Sequence, residues 1–143
     1  MLLAALKSHA ANRPNAPAIT SHAASLTWHE LASHVSRMAA FLTQHNVRRL
    51  AIVLENSIPW VIMDLACLQA GVVCVPLPPG ISEEQQRILL NQCSVDARLS
   101  TIALEQWETV PCSLGVFQVR RVVAPASLPH DTAKIIFPPG ASV

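Results

Sequence analysis

Tyrosine is absent from this 143-residue chain, and aromatic residues make up only 4% of it. Charge is scarce as well: 13% of residues are charged and the formal net charge is +1. No basic patch stands out from that background, which argues against nucleic acid as a partner. Glycine occurs only four times, and no glycine-rich turn follows the first strand of the central segment. The four cysteines, Cys67, Cys74, Cys93 and Cys112, form no CxxC spacing. They read as reduced core residues of a cytoplasmic protein rather than as metal ligands or disulfides. His29 and His34 are five apart and do not share a helical face, so no zinc site is expected. The opening residues hold no long apolar core with a small-residue cleavage site, and no segment reaches transmembrane length.

What the chain does have is apolar side chain, 51% of the total, enough for one α/β lobe over residues 1–143. Its densest concentration is residues 51–76, AIVLENSIPWVIMDLACLQAGVVCVP. Residues 51–54 are a short apolar run with strand character, and 72–76 are a β-branched one. Between them, 57–70 is apolar almost all round, the mark of a buried helix. Asn56 or Ser57 caps that helix, Pro59 sits in its first turn, and Gly71 follows it as the closing residue. Strand, helix and strand make a βαβ unit, which is parallel and right-handed as a rule.

The flanks extend this pattern. Residues 1–12 are expected to be helical, with Leu2, Leu3 and Leu6 on one face, stopped by Arg13-Pro14. A turn at 14–17, a short strand at 18–20 and a small polar hairpin tip at 21–25 follow. Thr27 and Glu30 form a capping box, with Leu26 and Leu31 as its hydrophobic staple. Trp28, Leu31, Val35, Met38 and Leu42 recur every three or four residues, one core-facing stripe ending near His45 with Asn46 as closing residue. Beyond the rigid turn Leu77-Pro78-Pro79-Gly80, Ser82 and Gln85 open a helix to Gln92. A strand at 97–101, a helical turn around Trp107 within 102–111, an exposed or edge strand at 115–124 and a last strand at 133–137 complete the reading. Alternating strands and helices imply a three-layer α/β architecture, a largely parallel sheet flanked by helices.

Catalytic constellations are missing. The acidic residues fall at helix starts or in loops, where capping or solvation accounts for them. No GxSxG elbow presents a serine. One place is suited to a ligand: Gly140 and Ser142, after the last strand, offer a backbone amide and a hydroxyl to a phosphate.

The order of motifs is more informative than any one of them. Leu26-Thr27-Trp28-His29-Glu30-Leu31 resembles the L-T-Y-x-E-L motif of the adenylate-forming enzymes, with tryptophan in place of tyrosine. That family holds acyl- and aryl-CoA synthetases, peptide-synthetase adenylation domains and firefly-type luciferases. Leu68-Gln69-Ala70-Gly71-Val72-Val73-Cys74-Val75-Pro76-Leu77 resembles its L-K-A-G-x-x-x-x-P-L motif. Glu55-Asn56-Ser57 with Trp60 is similar to the segment before it. Arg13-Pro14-Asn15-Ala16-Pro17-Ala18 fits the family's opening, and 131–137 the strand leading to its phosphate-binding loop. That loop reads T/S-S-G-T/S-T-G-x-P-K-G; here Pro138-Pro139-Gly140-Ala141-Ser142-Val143 keeps one glycine and one hydroxyl.

The resemblance implies the amino-terminal subdomain of an AMP-binding domain, truncated at the phosphate loop, from an ATP-dependent acid–thiol ligase. Its cofactors would be ATP and magnesium, and its thiol that of CoA or a carrier protein. Catalytic residues and metal ligands would lie beyond Val143, so the chain is expected to be inactive alone. Its physical partners would be the remainder of the ligase domain or a second copy. The alternative is a non-catalytic interaction or scaffold module, a self-associating pseudoenzyme lobe. A flavodoxin-like nucleotide-binding domain fits less well, because Glu55-Asn56-Ser57 stands where a glycine-rich turn would be.

Overall fold

A computed structural model describes residues 2–21 and 24–137. Eleven elements follow one another: α1 (Leu2–Asn12), β1 (Pro17–Thr20), β2 (Ser25–Thr27), α2 (Trp28–Gln44), β3 (Arg49–Val53), α3 (Ile58–Ala70), β4 (Val73–Pro76), α4 (Glu83–Gln92), β5 (Ala97–Ser100), β6 (Glu108–Val110) and β7 (Val116–Val119). Five strands form one sheet in the order β4-β3-β5-β7-β6, while β1 and β2 make a separate antiparallel hairpin. β3 pairs in parallel with β4 and with β5, Leu50 lying opposite Cys74 and Ala97. β7 then pairs antiparallel with β5 and β6. The sheet is therefore mixed, parallel only in its central βαβ half.

Strand alternation sorts side chains into two layers. Leu50 and Ile52 of β3, Leu99 of β5 and Phe117 of β7 face α2 and α3, where Leu42, Met63, Ala66 and Cys67 meet them. Phe41 of α2 closes edge-on to Phe117, ring centroids 4.9 Å apart. On the opposite face Ala51, Val53 and Val75 pack on Leu89, Leu90 and Cys93 around α4. A third cluster seals α1 and the hairpin onto the outer surfaces of α2 and α3, through Leu6, Leu31, Val35, Ile62 and Leu65. These are the three layers expected, with helices on both faces.

Helix boundaries follow the local chemistry. The capping box forms: Thr27 Oγ1 accepts from the Glu30 N–H at 3.1 Å, and Glu30 Oε1 accepts from the Thr27 N–H at 2.9 Å. These bonds hold the Glu30 carboxyl below its ordinary pKa, backbone bond first. α2, α3 and α4 all close with a left-handed residue, Asn46, Gly71 and Ser94. In each case the next N–H returns to the carbonyl five residues back, on Leu42, Cys67 and Leu90. Asn46 and Gly71 are legible as such closures, whereas Ser94 carries no signal in the sequence.

Several expectations are corrected. Residues 115–124 do not form an edge strand: β7 spans Val116–Val119 and lies between β5 and β6. Gln118, whose polarity suggested exposure, is buried. No helical turn forms around Trp107; β6 occupies Glu108–Val110 instead. The run 133–137 pairs with the sheet at a single bridge, Cys74 with Lys134. Leu2 lies away from the packed face of α1, 56% exposed. Asp64 and Asp96 are not solvated acids but structural ones.

Candidate functional site

β4 lies to one side of β3 and β5 to the other, so the two crossovers from this βαβ core leave on opposite faces. Such a switch point opens a crevice beyond the carboxyl ends of the strands, the usual ligand position in open α/β sheets. A cavity of about 460 Å³ lies at that edge. Leu54, Glu55, Asn56 and Ser57 line it from the end of β3, Pro79 from the turn after β4, Thr101 from the end of β5, and Leu114 closes it.

The helix start in its wall is mostly spoken for. Ser57 caps α3 and its Oγ accepts from the Trp60 N–H at 3.3 Å. Pro59 has no N–H to give, which leaves Ile58 as the remaining first-turn donor. Glu55 contributes an exposed carboxylate, and among the described residues no lysine or arginine lines the crevice. A triphosphate would meet one negative charge and no cation. Among the described residues there is no group of three His, Cys, Asp or Glu side chains able to hold a metal ion. The described wall therefore fits a neutral or weakly polar ligand portion, not ATP with magnesium. Gly140 and Ser142, the phosphate-binding candidates, lie outside the described residues.

Four polar devices hold the ends of the strands. Arg98 of β5 is 1% exposed and spends its donors on Gln86, Ser100, Gln118 and the Ile102 carbonyl. Gln118 also takes the Leu104 N–H at 2.8 Å and donates to the Leu104 carbonyl at 3.1 Å. This hub fixes the loop after β5, and with it Thr101 at the crevice. Burial pulls the guanidinium down to about 10, outweighing the upward pull of the Glu83 carboxylate.

Asp96 accepts from the Arg48 and Arg49 backbone N–H groups at the start of β3. Burial pushes its carboxyl up, against the pull of those bonds. Arg120 donates to Leu90 and Val95 carbonyls and to Asn91 at the end of α4, its guanidinium 4.4 Å from the Trp107 ring centroid. Lys134 pairs with Asp64 of α3 at 2.6 Å. A second cavity of about 460 Å³ lies at the amino edge of the sheet, but its Asp96 is already used by the β3 amides.

Sequence reasoning placed Glu55, Asn56 and Ser57 after the first strand, and the structure brings them to the crevice. It missed Thr101, Arg98 and Gln118. The available signal was a polar residue in each of two strands, Arg98 in β5 and Gln118 in β7; reading Gln118 as exposure reversed its meaning.

The family model for AMP-binding enzymes matches residues 6–135. The chain is 30% identical to the hybrid PKS-NRPS synthetase pydA of an Acremonium species, covering 92% of this chain and 4% of that protein. It is 30% identical to nonribosomal peptide synthetase 4 of Gibberella zeae, covering 91% and 2%. Among solved structures, the O-succinylbenzoate coenzyme A synthetase of Bacillus subtilis in complex with AMP superposes with a TM-score of 0.63 at 28% identity, over 71% of this chain and 27% of that one. The same synthetase has also been solved with ATP and magnesium ion. The chain thus spans a small fraction of the peptide synthetases and about a quarter of the coenzyme A synthetase. With the family model running through nearly every element, the chain belongs to the family of AMP-binding, adenylate-forming enzymes.

Proposed function

We propose that this chain is the amino-terminal lobe of an ATP-dependent ligase that activates an acid as its adenylate and passes it to a thiol of CoA or a carrier protein. The lobe supplies the β3–α3 wall of the substrate crevice and performs no chemistry alone. One observation carries this reading: the crevice at the switch point is lined by a carboxylate, amide, hydroxyls and apolar groups, and by no cation. Charge neutralisation of phosphates dominates catalysis of phosphoryl and adenylyl transfer, so that work falls to residues outside the described wall. The remainder of the ligase domain is then the lobe's physical partner, and the cytoplasm its compartment.

Calorimetric titration of the purified chain with ATP and with AMP tests the reading. No heat up to millimolar nucleotide is expected, together with no acid-dependent exchange of pyrophosphate into ATP. Saturable binding in the micromolar range, or exchange above the blank, would overturn it. A second reading, a self-associating lobe, is favoured by Ile136, 70% exposed on the last run of the chain. A dimer mass in solution with no nucleotide binding would support it.

A further inference from the structure

The run 133–137 meets β4 at one parallel bridge, Cys74 with Lys134. Cys74 N–H donates to the Ala133 carbonyl and Ile135 N–H donates to the Cys74 carbonyl, each at 2.8 Å. Two backbone bonds do not choose a register by themselves, because backbone donors and acceptors repeat along any chain. A slip of one residue is resisted, since it would turn Ile135 and Phe137 away from the apolar cluster around α4 on which they pack. A slip of two residues keeps the same alternation, with Phe137 where Ile135 stood, so hydrophobic alternation cannot exclude it.

The side chain of Lys134 does exclude it. Its ammonium lies 2.6 Å from Asp64 Oδ1, with the two side chains 30% and 14% exposed. It also stands 5.6 Å from the Trp60 ring centroid. Asp64 Oδ1 is buried and, among the described residues, has no hydrogen-bond partner besides this ion pair. A two-residue slip would set Ile136 in place of Lys134 and leave a largely buried carboxylate uncompensated, which costs far more than an exposed ion pair is worth. We infer that Lys134 is a positioning residue, a register lock that ties the last run of the chain to α3 through Asp64.

This inference rests on the reading that the carboxyl edge of the sheet is the working edge. The run travels parallel to β4, towards that edge. A two-residue slip would move the exit point of the run by about 7 Å along the strand, so the lock decides where the run leaves the sheet. Burial lowers the affinity of the Lys134 ammonium for its proton, but the Asp64 hydrogen bond and charge outweigh it and the net shift is upward.

Amide hydrogen exchange on the whole chain, followed by NMR, tests the lock without any nucleotide, so its outcome is separate from that of the ligand titration. Lys134→Met keeps the aliphatic stem and removes the charge. It should speed exchange at Ile135 and Cys74 at least about tenfold while leaving Leu50 and Ile52 unchanged. Lys134→Arg should retain protection. The paired change Lys134→Ile with Ile136→Lys should move protection from the Ile135 amide to that of Phe137, as the run slips to restore the ion pair. Exchange in Lys134→Met within about twofold of the parent would overturn the proposal, as would Ile135 protection persisting in a folded paired variant. If the paired variant does not fold, the Lys134→Met result decides alone.

Discussion

Arg98 and Gln118 show how a residue's type and its neighbours can give opposite messages. Both break apolar strands, yet both are about 1% exposed because they satisfy each other and the loop beyond β5. A buried cation is tolerated only while its donors are satisfied, and removing one partner leaves it uncompensated. Gln118→Leu removes an acceptor from the guanidinium and a partner from Leu104, and should destabilise by about 3 kcal/mol in urea denaturation. Arg98→Met with Gln118→Leu removes the charge as well, and this double variant should be more stable than Gln118→Leu alone. A double variant at least as unstable would mean the charge is not the source of the penalty. Glu30 supplies the pH-dependent counterpart. Its folded pKa lies below the ordinary 4.5, so its contribution is present above that value and is lost as pH falls through the folded pKa. Glu30→Gln should flatten this part of the acid unfolding profile; an unchanged profile would place the acid sensitivity elsewhere.

At the scale of elements, two glycines separate backbone conformation from space. Gly71 ends α3 at φ 71°, and a Cβ there would meet nothing within 4 Å. Gly71→Ala therefore costs only the left-handed conformation, about 1 kcal/mol. Gly115 opens β7 at φ 157°, and a Cβ there would lie 3.0 Å from the Ser100 carbonyl oxygen and 3.3 Å from Leu99. Gly115→Ala should cost more, since β7 must back away from β5 and strain the hub around Arg98. Thermal melts of the two variants rank them directly. Equal losses would show that the β5–β7 contact yields without cost.

For the whole molecule, the sheet has a stiff centre and lightly held margins. β3 is paired on both sides and covered by both helical layers, whereas the β1–β2 hairpin forms a sheet of its own on the outer cluster. Global exchange should be slowest at Leu50, Ile52 and Leu99, and faster in the hairpin, where few bonds must open. Hairpin amides as slow as those of β3 would mean that α1 and the hairpin unfold only with the entire lobe. The same arrangement puts the crevice at the end of β3, a strand paired on both sides. A wall so placed can hold a ligand portion in a fixed position while the charged chemistry comes from elsewhere.

The capping box at Thr27 and Glu30 and the closures at Asn46 and Gly71 were readable in the sequence, because each depends on residues within a turn or two of one another; the central βαβ unit was readable because each of its three segments has its own local apolar pattern. The ordered motifs between Arg13 and Phe137 were readable for a related reason: their order and spacing are properties of the sequence itself. Tertiary structure decided the rest. It turned Gln118 and Arg98 inward, placed β7 inside the sheet, made Asp96 a clip on β3 and joined Lys134 to Asp64 across the fold. Those outcomes depend on partners far apart in sequence, such as Arg98 with Gln118 or Asp64 with Lys134. A polar residue reads the same in sequence whether its partner is water or another buried side chain, and only the fold brings the second into reach.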